Sequence, residues 1–174
     1  MLSLNLCCTH VWGRGCRFDN RALESLPIDP ALRQGVSCEP ITRDETKEAL
    51  LCTHARHHIP KACYSLARTS PVAHPRLVAA SQYALNLLKL APAEAGREDF
   101  IDFFSGNTAI PGARPAAHNY GGHQFGSFAG QLGDGACVYL GEIEVGEGHG
   151  TTAAPRWELQ LKGSGKTPYS RQVG

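Results

Sequence analysis

Gly130-Gln-Leu-Gly-Asp-Gly135, then Ala136-Cys-Val-Tyr-Leu-Gly-Glu-Ile-Glu-Val145, then Trp157-Glu-Leu-Gln-Leu-Lys-Gly-Ser-Gly165 are the runs that decide how this chain reads. Within 136–145, Val138 and Leu140 share one parity and Ile143 and Val145 the other. The alternation therefore changes phase near Gly141, as a β-bulge allows. Trp157 to Leu161 alternates strictly, so it reads as a second strand and the two are expected to pair as a hairpin. The polar, glycine-rich stretch Gly146 to Pro155 between them is longer than a tight turn needs and is expected to project into solvent. If Trp157, Leu159 and Leu161 bury one face, Glu158, Gln160 and Lys162 occupy the other. Lys162 then points, with polar neighbours, toward whatever Gly133 and Gly135 hold.

Two readings of that end of the hairpin stand side by side. Glycines let backbone N–H groups approach an anion closely, and a lysine at the end of an apolar strand supplies a fixed positive charge. Together they describe a nucleotide-phosphate site, with ATP as the leading ligand. A strand-borne lysine beside a glycine loop is also how protein kinases hold phosphates, although their G-x-G-x-x-G motif is absent. The other reading is structural: Gly133-Asp-Gly135 as a turn between strands, and Lys162 as a solvated strand end.

Moving upstream, Asn119-Tyr-Gly-Gly-His-Gln-Phe-Gly-Ser-Phe-Ala-Gly130 reads as a loop with close backbone approaches, preceded by the irregular Ile110 to His118. His118 and His123 are read as structural hydrogen-bonding residues before general bases, since no nucleophile and acid pair with them by spacing. Pro75 to Leu90 carries Leu77, Val78, Ser81, Ala84, Leu85 and Leu88 at helical spacing, and a helix is expected there. A second is expected over Ala93 to Phe104, with Phe100, Ile101 and Phe104 on one side and Ser105-Gly106-Asn107 closing it. Phe18 to Leu26 offers Asp19 or Asn20 as N-cap of a short helix. Asp44 to Ala55 is either a helix or a surface insertion. Cys52, His54, His57 and His58 lie in the stretch Ala31 to Pro60 around it, as a solvated face or as part of a metal site, but without a second ligand pair or an acid between the histidines.

Composition excludes some classes of function. The 174 residues are 42% apolar and 19% charged, enough for one core-bearing domain, and the net charge is +1. No field of one sign argues for nucleic acid or an acidic membrane surface. Seven cysteines without a C-x-x-C pair suit reduced thiols better than a disulfide framework. No run approaches the roughly 20 apolar residues that cross a bilayer. The first residues carry Arg14 and Arg17 with no acid before Asp19, but without the arginine and serine density of a typical organellar presequence.

His123-Gln-Phe-Gly-Ser-Phe-Ala-Gly-Gln-Leu-Gly-Asp-Gly135, Tyr139-Leu-Gly-Glu142 and Arg156-Trp-Glu-Leu-Gln-Leu-Lys-Gly-Ser-Gly-Lys-Thr-Pro-Tyr-Ser-Arg171 resemble the N-terminal part of the SelO family. So do Phe18-Asp-Asn-Arg-Ala-Leu23, Ala62-Cys-Tyr-Ser65, Pro75-Arg-Leu-Val78 and Phe104-Ser-Gly-Asn107. The resemblance covers the chain from about Phe18 onward, except around Gln34 to Ile59. It implies an α+β fold: a protein-kinase-like N-terminal lobe, an antiparallel sheet with a hairpin, plus N-terminal helices, ending before the C-terminal lobe. The domain would run over 18–174, after an extension at 1–17 that is either a transit segment or a plain tail.

The activity implied is protein adenylylation, in which ATP bound in reversed orientation gives AMP to hydroxyl side chains of proteins. Carried over residue by residue, Gly133 and Gly135 fall on nucleotide-binding glycines and Lys162 on the lysine that contacts the ATP phosphates. Ala136 stands where some members have arginine, which leaves only a backbone contact. The family's catalytic Asp, the Asn and Asp that hold magnesium, and the redox-active C-terminal residue lie further on, so no catalytic or metal-binding residue is assigned here. The chain is accordingly expected to be a piece of a longer enzyme, with weak or undetectable ATP binding and no transfer by itself. Its partners would be protein substrates, with no nucleic acid and no membrane. Its compartment would be mitochondrial, or cytoplasmic as in bacterial members. The alternative is a catalytically dead binding or regulatory module of the same descent.

Overall fold

The computed structural model describes residues 16–32, 39–42, 58–146 and 153–171. Its centre is the expected hairpin. Strands β5 (Cys137–Val145) and β6 (Arg156–Lys162) pair antiparallel from Cys137 opposite Lys162 to Glu144 opposite Arg156. The register shifts between Tyr139 and Gly141, and Gly141 takes a φ of +136°. Because of that extra residue, Val138, Leu140, Ile143 and Val145 all enter one core with Leu159 and Leu161. Tyr139 faces a second, smaller core with Leu23, Tyr64, Leu66 and Ala116. A side chain at 141 would run into Asn20 Oδ1 and come within 3.0 Å of the Phe18 ring, so only glycine fits the bulge. Trp157, expected among the buried residues, is 38% exposed, while Leu159 and Leu161 are buried as expected. It sits toward the open end of β6, which has a strand partner on one side alone.

The sheet has six strands in the path β1 (Cys16–Phe18), β5, β3 (Ala116–Gln124), β2 (Tyr64–Leu66), with β6 added to β5 and β4 (Ser127–Gly133) to β3; every strand pair is antiparallel. β1 (Cys16–Phe18) lies against the far end of β5, so Cys16 and Arg17 already belong to the sheet. β2 (Tyr64–Leu66) joins the inner end of β3 (Ala116–Gln124), and Ala116 of β3 faces Tyr139 of β5. With few and short helices the fold is mixed α/β, and among the described residues no helix is long and apolar enough to cross a membrane.

The glycine-rich stretch expected as a loop is a second hairpin. β3 continues outward and pairs with β4 (Ser127–Gly133) around a two-residue turn, Phe125 at φ +53° and Gly126 at φ +84°. Two positive φ values in succession match the twist of the flanking strands. The sequence hid this because phenylalanine, not asparagine or aspartate, takes the first turn position.

The helices are shorter than periodicity suggested. The helix expected over Pro75–Leu90 is confined to α2 (Gln82–Leu87), because Ser81 Oγ accepts from Ala84 N and starts it there. Leu77, 42% exposed, and Val78, 98% exposed, line a pocket with Phe100 and Phe104 without forming a helical turn. The expected helix over Ala93–Phe104 divides into a 3-10 turn, Pro92–Gly96, and α3 (Glu98–Ser105). Arg97 sits at the joint, bonded to Glu94 and Asp99. Gly106 in the left-handed conformation ends α3, and Phe100 packs on Phe104 with ring centres 4.4 Å apart.

α1 (Arg21–Ser25) forms, but neither Asp19 nor Asn20 caps it with a side chain. The cap comes from β5: Glu142 Oε2 accepts from Ala22 N. Asn20 instead receives the Glu142 N–H and donates to Gly112 O. Asp44 to Ala55, with Cys52, His54 and His57, lies outside the described residues, as does most of Gly146–Pro155; His58 is exposed.

Candidate functional site

The predicted site residues gather where β4 passes into β5. Gly133 ends β4 opposite Asn119. Its missing side chain has a reason in packing: a Cβ there would lie 2.6 Å from Tyr169 Cβ and 2.7 Å from His118 O. Gly135 is similar, since a Cβ would meet Tyr169 O at 3.1 Å. The glycines thus admit the Thr167-Pro-Tyr-Ser170 turn, where Thr167, Pro168 and Tyr169 are buried.

The loop's hydrogen bonds decide what it can offer a ligand. Asp134 N donates to His118 O at 3.0 Å and Gly135 N to Gly133 O at 2.9 Å, so these two amides are used inside the protein. The Asp134 carboxylate accepts from His118 N at 3.0 Å and stands 3.3 Å from His118 Nδ1. Both groups therefore act structurally, the role read for His118 from the sequence. His123, further out, packs its ring edge-on against Phe128. Among the described residues nothing accepts from the Ala136 N–H, and Ala136 is exposed.

Lys162 lies opposite Cys137, and the next residue, Gly163, donates its N–H to Ala136 O at 2.7 Å. The base of the lysine and the open amide therefore share one end of the hairpin. Glu158, Gln160 and Lys162 are exposed, as the alternation requires, and among the described residues Lys162 has no ion-pair partner. An exposed lysine and an amide without a partner at the same end of a hairpin are groups that suit an anion.

The other end of the hairpin is fixed by charge. Arg156 of β6 bonds Glu142 Oε1 at 2.7 Å and Asp19 Oδ2 at 2.9 Å. The guanidinium holds both carboxyls below their ordinary range, and the two carboxylates in turn raise Arg156. Burial, and then the Glu158 carboxylate, push the Tyr139 phenol up.

Sequence reasoning missed Tyr169, Ser170, Thr167 and Ser65 as parts of the site. Tyr169 Oη lies 2.7 Å from Ser65 Oγ, which donates to buried Asp29 Oδ2 at 3.0 Å. The signal in the chain was indirect: glycines at 133 and 135 demanded a close neighbour, and nothing local identified it.

The family model "Protein adenylyltransferase SelO" matches residues 50–174. The mouse mitochondrial protein adenylyltransferase SelO (Mus musculus) is 49% identical over 170 residues, covering 95% of this chain and 22% of that protein. The human one (Homo sapiens) is 47% identical over 166 residues, covering 93% and 22%. The protein nucleotidyltransferase YdiU of Azoarcus sp. (strain BH72) is 41% identical over 156 residues, covering 90% and 25%. The chain spans a quarter or less of the length of these curated relatives.

Proposed function

The chain belongs to the SelO protein adenylyltransferase family, and on that premise we propose that it supplies the ATP-binding part of an enzyme that transfers AMP to serine, threonine or tyrosine hydroxyls of proteins. The sheet is read as the N-terminal lobe of a protein-kinase-like fold, in a domain proposed over residues 18–174 whose sheet also takes in Cys16 and Arg17 of the proposed 1–17 extension. The observation that supports this reading is the pairing of Cys137 with Lys162 and of Gly163 with Ala136, which brings the backbone of the lysine and that of Ala136 to the same end of the hairpin. Gly133 and Gly135 shape the loop, the Ala136 N–H donates to a phosphate oxygen, and Lys162 neutralises phosphate charge.

In the transfer, a protein hydroxyl forms a bond to the α-phosphorus, the bond from that phosphorus to the bridging oxygen breaks, and pyrophosphate leaves. The ammonium of Lys162 lowers the cost of the charge on the phosphates as that bond breaks. The proton lost by the hydroxyl goes to a base outside this chain. Among the described residues no three His, Cys, Asp or Glu side chains converge as a metal-binding group, so no step is routed through magnesium here. The mammalian and zebrafish relatives are named mitochondrial, and the same compartment is proposed for this protein.

The test is Lys162→Ala in a protein carrying the full length seen in the relatives. AMP transfer to a protein substrate should fall by about 100-fold or more, as on removal of a preorganised charge partner. Transfer at the unsubstituted rate would take Lys162 out of the mechanism.

A further inference from the structure

We propose that Thr167–Arg171 is a positioning clamp that turns the carbonyls of the phosphate loop inward, with Tyr169 and Ser170 as its working residues; this rests on reading Gly133–Ala136 as that loop. Each of the four loop carbonyls has a donor. Gly133 O accepts from Gly135 N, Asp134 O from Thr167 Oγ1 at 2.6 Å, Gly135 O from Ser170 Oγ, and Ala136 O from Gly163 N. Two of the four are held by the clamp's own hydroxyls. A carbonyl oxygen facing a phosphate would repel it, whereas an N–H attracts it. Holding the carbonyls inside leaves the Ala136 N–H as the polar backbone group presented outward. The clamp thus fixes the sign of the loop's surface before any ligand arrives, which is preorganisation.

The clamp is itself anchored in the core. An ionised Asp29 can only accept, so Ser65 donates to it and the single Tyr169 proton goes to Ser65. The tyrosine ring then lies where a Cβ on Gly133 would clash. Ser170 Oγ also accepts from Thr167 N at 2.8 Å, which closes the turn on itself. At the far side Arg171 bonds Gln124 Oε1, beside the tip of the outer hairpin. One five-residue segment thus joins the core, the loop and the outer hairpin.

The test is hydrogen exchange at the Asp134 and Gly135 amides in the 174-residue chain, without ligand and with millimolar ATP. Ser170→Ala and Tyr169→Leu should each accelerate exchange at these amides by about 10-fold, as expected of a local opening, with the β5 core amides unchanged. Ser170→Thr, which keeps a hydroxyl for Gly135 O, should bring the rate back to within about 2-fold of the unsubstituted chain, and Lys61→Ala, outside both the loop and the clamp, should leave it unaltered. If Tyr169→Leu fails to fold, Ser170→Ala decides. Unchanged exchange in Ser170→Ala overturns the clamp, whatever ATP does. Faster exchange there, combined with an unsubstituted loop that stays indifferent to ATP in a protein carrying the full length seen in the relatives, upholds the clamp and removes the phosphate reading instead.

Discussion

The two hairpins of this sheet use glycine and aromatic residues in opposite ways. In β5–β6 the apolar residues are buried on both sides of the bulge, and an ion cluster about Arg156 ties the open end to α1. In β3–β4 the strands leave the core after Asn119, and Phe125 at the tip is 99% exposed and Phe128 65% exposed. The proposed phosphate loop is the link between an anchored hairpin and an outstretched one. Stability belongs to one and the approach to ligand to the other, so substitutions in the two should have unequal consequences.

The largest gap is expected between core and tip. Ile143→Ala should destabilise the chain by about 2–5 kcal/mol in urea denaturation, the usual cost of truncating a buried isoleucine. Phe125→Ala should stay within about 0.5 kcal/mol. Equal losses would mean that the outer hairpin is packed after all. A smaller gap separates two glycines of β4. Gly133→Ala should cost about 1–3 kcal/mol, because the new methyl meets Tyr169 and His118 O, where overpacking is not relieved. Gly130→Ala, at φ +72° with nothing within 4 Å, should cost about 1–2 kcal/mol from backbone strain alone.

The smallest effect concerns charge. Asp19 and Glu142 are depressed in the fold, so what they contribute is fully present above their unfolded values near 4 and is lost as pH falls through the folded ones. Arg156→Met should therefore be less stable than the unsubstituted chain at pH 7, and thermal melts should show the gap closing below about pH 4. A gap independent of pH would point to packing by the arginine stem instead.

What the sequence disclosed followed period and phase. The change of parity between Leu140 and Ile143 located the bulge at Gly141, and the alternation of 157–161 located β6. It placed Lys162 on the polar face because that depends on neighbours in the same strand. What stayed hidden depended on distant partners. Leu77 and Val78 have helical spacing but line a pocket with Phe100 and Phe104 outside any helix, and α2 begins only at Gln82, after the Ser81 cap. Phe125 in a left-handed turn carries no turn signature, so β3–β4 read as loop. Glycines 133 and 135 were legible as close approaches, yet the neighbour that approaches is Tyr169, far along the chain, besides any phosphate.

The most direct measurement is labelling of the 174-residue chain with an acyl-phosphate derivative of ATP, which acylates lysines lying at nucleotide phosphates and captures even weak occupancy. Lys162 should be modified and protected by excess ATP, while Lys166 and Lys61 show no such protection. Labelling of Lys162 that ATP does not reduce, or that is no greater than at Lys166, would contradict a phosphate site at this end of the hairpin.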